Sequence, residues 1–201
     1  MVKHTGFPDL DVIKIYDGNL SEDFCQRCVH LFEEDNRKYQ GQTGKGYRPD
    51  VKKSLDLLIS TLPEQEWREV DKVLHEALKE PAKDYFELLD EFKTLVIDPR
   101  DSGYQIQKTE PDGGYTWHND AYLYEDTYAR LFTYLWYLNT VEEGGETEFL
   151  DRKIKPVAGR LLLFPATWTY VHRGLAPKTG SKYICTGWMS SAPLFFQRDL
   201  L

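Results

Sequence analysis

Three residues in the second half of this 201-residue chain carry the side chains of a small metal centre: His118, Asp120 and His172. In His118-Asn119-Asp120 an imidazole and a carboxylate stand two residues apart. On a β-strand such residues point to the same face, so a ring nitrogen and a carboxylate oxygen can reach one ion. A second imidazole, His172 in Thr169-Tyr-Val-His172-Arg-Gly, would complete a set of two histidines and one carboxylate. Such a set leaves positions open on the metal for substrate and oxygen. Taken singly, each histidine also reads as a satisfied structural residue. His-x-acid pairs are common in a chain with 5 His and 33 Asp plus Glu, so the pair alone does not identify a site.

Cys25-Gln-Arg-Cys28 has the spacing of a redox or zinc motif. However, Ser21 followed by Glu22 and Asp23 is a helix N-cap with an acidic first turn. Phe24, Cys25, Cys28, Leu31 and Phe32 recur at helical spacing, and no second cysteine pair completes a zinc site. The buried-helix reading is preferred.

The elements that must position the triad fall into two unlike halves. Up to about Phe92 the chain is charged and helix-patterned: a helix over 21–34, a Gly-rich linker around Gly41–Gly46 and a short amphipathic stretch from Ser54 to Ser60. A long helical region follows, with Pro63 near its start and an interruption expected at Pro81. Its stripes, Trp67, Val70, Val73, Leu74 and Leu78, then Tyr85, Leu88, Leu89 and Phe92, are core-facing surface. From about Lys93 short β-branched and aromatic runs alternate with PDGG, EEGG, KPVAG and APKTG turns. These predict strands over 103–109, 115–122, 130–138, 146–150, 160–165, 169–174 and 182–190. The expected fold is a single α+β domain over 1–201, a β-sandwich or barrel in 93–201 buttressed by the helices of 1–92.

The setting of the three candidate ligands resembles the prolyl-4-hydroxylase-like branch of the Fe(II)- and 2-oxoglutarate-dependent oxygenases, over roughly Gly103 to Met189. Tyr115-Thr-Trp-His118-Asn-Asp120 matches Tyr-x-x-His-x-Asp. Arg130-Leu-Phe-Thr133-Tyr-Leu-Trp-Tyr137-Leu matches Arg-x-x-Thr-x-Leu-x-Tyr-Leu. Glu142-Glu-Gly-Gly-Glu-Thr147 with Phe149 matches a further signature, and His172 follows the Gly159–Phe164 strand as in that family.

The resemblance implies a double-stranded β-helix (jelly roll), with His118, Asp120 and His172 holding Fe(II), and with 2-oxoglutarate and O2 as cosubstrates. Ascorbate is left open as an auxiliary. It implies that Lys182, ten residues after His172, pairs with the distal carboxylate of 2-oxoglutarate. Tyr137 would help hold that carboxylate, Thr186 would line the pocket and Trp188 would stand beside the substrate opening. Lys182, Ile184, Thr186 and Trp188 share one strand face if Lys182 points inward. The strand before the metal motif departs from the family: its usual tyrosine is replaced within Gln107-Lys108-Thr109-Glu110, so Thr109 or Gln107 is the substitute. Retention of Asp120 favours hydroxylation over halogenation. Trp188, Arg173 and Tyr122, with the loop through Tyr124, Glu125-Asp126 and Tyr128, are the expected substrate rim.

The expected reaction is hydroxylation of an aliphatic C–H, of a prolyl residue in a protein or peptide, with release of succinate and CO2. A free amino acid or other small molecule is the alternative substrate. A non-catalytic binding module would be expected to have lost part of the triad or Lys182, and all four are present. The formal charge of -8 argues against a nucleic-acid or anionic-membrane partner, although Arg152, Lys153, Lys155, Arg160 and Arg173 crowd the second half. No run reaches the ~20 apolar residues of a membrane span. Three cysteines make no disulfide framework, so a reducing cytoplasm is expected. Oligomeric state is left open.

Overall fold

The computed structural model describes residues 11–91, 94, 96, 98–124 and 128–192. Of the sequence readings, Phe92 and the Glu125-Asp126 pair lie outside the described residues. The strands are β1 (Lys14–Tyr16), β2 (Tyr39–Gln40), β3 (Lys52–Lys53), β4 (Leu55–Leu58), β5 (Arg100–Asp101), β6 (Gln105–Thr109), β7 (Gly114–His118), β8 (Leu123–Tyr124), β9 (Tyr128–Tyr137), β10 (Thr147–Phe149), β11 (Lys153–Ile154), β12 (Leu161–Pro165), β13 (His172–Gly174) and β14 (Lys182–Ser191). Two helices, α1 (Glu22–Glu34) and α2 (Gln65–Glu91), precede most of them.

The major sheet runs β1-β12-β9-β14-β6-β4-β2, with β5 on β14 and β8 on β9. The minor sheet runs β11-β10-β13-β7-β3. The fold is α+β, a jelly roll carrying helices on one face. Alternation along the central strands explains both layers. Tyr134 and Trp136 of β9, Leu161 and Leu163 of β12 and Cys185 of β14 join a core with Phe32, Val70, Leu74 and Tyr85 of the helices. Their neighbours Leu135, Tyr137, Leu162 and Phe164 turn the other way and pack with Phe149 and Ile154 of the minor sheet. The site lies in this second, inter-sheet layer.

Three sequence expectations are corrected. The stretch from Ser54 to Ser60 holds strand β4, paired with β6. The first half is more than helical support: β1 edges the major sheet, and β2, β3 and β4 extend both sheets. Third, α2 passes through Pro81 without a break. A proline inside a helix leaves the carbonyl four residues earlier without its N–H, at about 3 kcal/mol or more. Here that carbonyl, of Ala77, accepts from Asn19 Nδ2 at 3.1 Å, while Asn19 Oδ1 accepts from Trp136 Nε1 at 2.7 Å. Asn19→Ala strips both partners. It should destabilise the fold by about 1–3 kcal/mol for each group left unpaired, read as a lower denaturant midpoint with an unchanged slope.

Helix α1 begins at Ser21, whose hydroxyl accepts from the Phe24 N–H at 3.3 Å, and it buries Cys25, Cys28 and Phe32. Burial pushes the Cys25 thiol up to about 11 and that of Cys28 to about 12. These are packed thiols with almost no thiolate at neutral pH, so they are not nucleophiles.

Candidate metal centre

β7 and β13 are neighbours in the minor sheet, and their register sets His118 opposite His172. Asp120 follows β7 by two residues. The register shifts by one residue between the His172–His118 pair and the next, the extra residue lying on β7, so Gly174 faces Tyr115. The His118 Nε2 lies 3.7 Å from Asp120 Oδ1 and the His172 Nε2 3.8 Å from Asp120 Oδ2. One donor atom from each of the three residues falls within 4.8 Å of the others.

The other ring nitrogens are committed. His118 Nδ1 donates to Thr116 O at 2.7 Å and His172 Nδ1 to Tyr170 O at 3.1 Å. Each bond fixes the tautomer whose Nε2 lone pair faces the centre. Burial pushes the His118 imidazole down to about 4, helped by His172 and opposed by Asp120, so it is neutral and able to ligate at pH 7. Burial works to raise the Asp120 carboxyl, but the two imidazoles and a 2.6 Å hydrogen bond donated by Thr133 Oγ1 outweigh it, so the group stays ionised. The Trp188 indole N–H favours the same charge without reaching hydrogen-bond geometry. Two imidazoles and a carboxylate fit a divalent first-row ion with open coordination positions.

His172 is clamped by core aromatics, with its ring centre 4.7 Å from that of Phe164 and 5.6 Å from that of Phe149. His118 is stacked by Tyr115, with ring centres 3.4 Å apart and planes at 13°. A small cavity of about 70 Å³ lies over the triad.

Lys182, Ile184, Thr186 and Trp188 all line this cavity. Across the β14–β6 ladder Thr109 faces Lys182, Gln107 faces Ile184 and Gln105 faces Thr186. Thr109 and Gln107 both reach the cavity, and Thr109 stands where a ligand held by Lys182 would end. Lys182 is 4% exposed, and its ammonium donates to Gly145 O at 2.9 Å and Leu175 O at 3.2 Å. No carboxylate lies within ion-pair distance of it among the described residues. Burial lowers its pKa to about 8, with Glu146 opposing. A buried cation whose protein acceptors are carbonyls is suited to receive an anion.

Other sequence candidates sit differently. Tyr137 is fully buried behind the wall, donating at 2.7 Å to Thr147 Oγ1, and Thr147 is the residue that lines the cavity. Thr186 Oγ1 donates to Tyr134 O at 2.9 Å. Tyr122 and Trp188 are brought together through Arg130, whose guanidinium lies 3.6 Å from the centre of the Trp188 ring and 5.1 Å from that of Tyr122. Arg173 is apart from them. On the outer face of the minor sheet it bonds Glu148 at 2.5 Å and stacks on Trp117 at 4.8 Å. Its odd-even position next to the inward His172 already turns it outward.

Sequence reading missed Thr133, Thr147 and Tyr115 as site residues, although all three fall inside quoted motifs. It also missed Lys52 and Ser54, which line the cavity from the first half and carry no motif.

Residues 104–190 match the family model of the 2OG-Fe(II) oxygenase superfamily. No curated protein matches the chain. Among solved structures it resembles the viral collagen prolyl hydroxylase of Paramecium bursaria Chlorella virus-1 in its 2OG complex, at 24% identity over 92% of this chain and 99% of that one, TM-score 0.61. A Pseudomonas putida prolyl-4-hydroxylase is 17% identical over 88% of this chain and 91% of that one, TM-score 0.63. A Trichoplax adhaerens prolyl hydroxylase, in complex with a hypoxia inducible factor oxygen degradation domain peptide fragment, is 19% identical over 90% and 84%, TM-score 0.70. At these identities the likenesses establish the fold.

Proposed function

We propose that this chain, which belongs to the 2OG-Fe(II) oxygenase superfamily, hydroxylates an aliphatic carbon of a prolyl residue within a protein or peptide. The general reaction is that of a 2-oxoglutarate-dependent dioxygenase. Bound iron(II) supplies the oxidative chemistry, in which O2 and 2-oxoglutarate are consumed, succinate and CO2 are released and one oxygen atom enters a C–H bond. His118, Asp120 and His172 would hold the metal. Lys182, beside Thr109 and Thr147, would hold the far carboxylate of 2-oxoglutarate, with Tyr137 acting through Thr147. The inter-sheet apolar wall of Leu135, Phe164 and Ile184 excludes water from the reacting atoms.

One observation carries the preference for a peptide. A second recess, of about 360 Å³, adjoins the metal cavity and has Thr186 and Trp188 as walls in common with it. It is lined further by Leu58, Gln105, Tyr128 and Ser190. A chain with its reactive ring over the metal has room for flanking residues there, whereas a free amino acid leaves the recess empty. The peptide bound to the Trichoplax adhaerens relative is consistent with this reading. The three cysteines, all buried free thiols, suit a reducing compartment, and a cytoplasmic location is proposed on that ground.

The test is turnover of prolyl peptides of increasing length against free proline and other amino acids, with hydroxylated product identified by mass. Product should rise with peptide length. Equal kcat/KM for free amino acids and peptides would return the substrate to a small molecule. Trp188→Ala removes a wall shared by both recesses and the surface on which Arg130 stacks. It should lower product formed per succinate released, while iron and 2-oxoglutarate affinities stay within about twofold of parent, since it removes no hydrogen bond to either.

A further inference from the structure

His118 closes a short strand next to the edge of the minor sheet, and the chain beyond it forms no regular element until β8. Unlike His172, it has no Phe against its ring among the described contacts. Its ring is stacked by Tyr115 and meets the His172 ring at a tilt, 4.2 Å between centres, and its Nδ1 bonds Thr116 O. Tyr115 is itself opposed by Lys52 of the edge strand β3. The Lys52 ammonium lies over the Tyr115 ring, 5.6 Å from its centre.

Lys52 is 5% exposed and is fixed there by Asp56, which is fully buried, through a 2.6 Å ion pair. Asp56 also accepts from Ser54 Oγ at 2.7 Å and from Gln105 Nε2 at 3.2 Å. Gly41 closes the cluster: its N–H donates to Ser54 O at 2.8 Å, and a Cβ there would collide with Ser54 Oγ. Desolvating both charges offsets much of their attraction, so a buried ion pair is weak evidence of added stability. Its well-ordered geometry next to a ligand's stacking partner calls for another role.

We infer that Asp56 is a positioning residue for the metal centre: it holds Lys52 on Tyr115, and Tyr115 in turn fixes the face of the His118 imidazole. This rests on the assignment of His118 as a ligand. Groups that orient a ligand typically tune metal affinity by ~10–100-fold, and the effect expected here is at the lower end, about tenfold.

The experiment is anaerobic titration of the full chain with Fe(II) alone, read as a dissociation constant beside the apo melting temperature. Asp56→Asn could leave Lys52 buried and uncompensated and fail to fold. The deciding variant is therefore Lys52→Met with Asp56→Asn, in which the charges go together and the asparagine oxygen still accepts from Ser54. It should fold and bind Fe(II) about tenfold more weakly. Tyr115→Phe, which keeps the ring, should retain parent affinity, Tyr115→Ala should lose about as much as the double variant, and Lys52→Arg should recover most of the loss. Parent Fe(II) affinity in the double variant or in Tyr115→Ala would overturn the role. His118→Ala is the control. If it too binds Fe(II) like the parent, the ligand assignment falls; if it loses Fe(II) while the other variants keep it, only the positioning role falls.

Discussion

His118→Ala and His172→Ala should each abolish 2-oxoglutarate-dependent turnover while leaving a folded domain. Both Nε2 atoms converge on Asp120 with their Nδ1 atoms tied to backbone carbonyls, so neither ring has a second nitrogen to offer. Loss of a ligand should cost more than the ~10–100-fold in metal affinity that follows loss of a supporting group. The two variants should differ in stability. His172 is 6% exposed between Phe149 and Phe164, so its removal opens a hole in the inter-sheet core and should lower the melting temperature more. His118 leans on Tyr115 at the cavity edge, and its loss should be milder. Asp120→Ala should also lose hydroxylation, and it leaves Thr133 Oγ1 without its acceptor. Parent-level turnover in either histidine variant, measured as succinate formed with Fe(II) present, would refute the ligand assignment.

Lys182→Ala should weaken 2-oxoglutarate binding by about 2–5 kcal/mol, the usual cost of leaving one partner of a buried charge pair alone. That is on the order of 30- to several-thousand-fold in dissociation constant. Lys182→Arg should recover part of it, because the charge returns on a longer, planar head. The pH dependence carries a sign. Burial lowers the free enzyme's Lys182 to about 8, and a bound carboxylate favours the protonated form. Affinity for 2-oxoglutarate should therefore be full below about pH 8 and fall as pH rises past it, since binding must then take up a proton. Folding of the ligand-free protein should respond oppositely. The unfolded lysine, at ~10.4, holds its proton through the window in which the folded one has lost it, so stability rises with pH between about 8 and 10. Isothermal titration across pH 7–10 and denaturant melts over the same range measure both. Affinity independent of pH, with Lys182→Ala binding as tightly as the parent, would move the cosubstrate site elsewhere.

What the sequence made legible follows from how each residue signals itself. The triad, Lys182 and the inward face of β14 could be read because a two-residue strand period and fixed motif offsets carry the information locally. The same period turns Arg173 away from the cavity, a conclusion available from its place beside His172. The first half was harder. Strand β4 reads as a short amphipathic stretch because four residues cannot distinguish periods of 2.0 and 3.6. The passage of α2 through Pro81 depends on Asn19, 58 residues from the carbonyl it satisfies, and no local pattern shows that partnership. Lys52 and Asp56 are likewise unremarkable in sequence, a lysine and an aspartate four residues apart. Their burial against Tyr115 appears only once β3 pairs with β7.

The central claim is that this chain couples 2-oxoglutarate decarboxylation to insertion of one atom of O2 into a prolyl C–H. The most direct measurement supplies isotopically labelled O2 with Fe(II), 2-oxoglutarate and a prolyl peptide, then quantifies succinate and hydroxylated peptide together. The account requires succinate and product to form in equal amounts, with the product oxygen labelled and both signals absent in His172→Ala. Succinate that forms at the same rate without any peptide in the panel, or a product oxygen drawn from water, would contradict it.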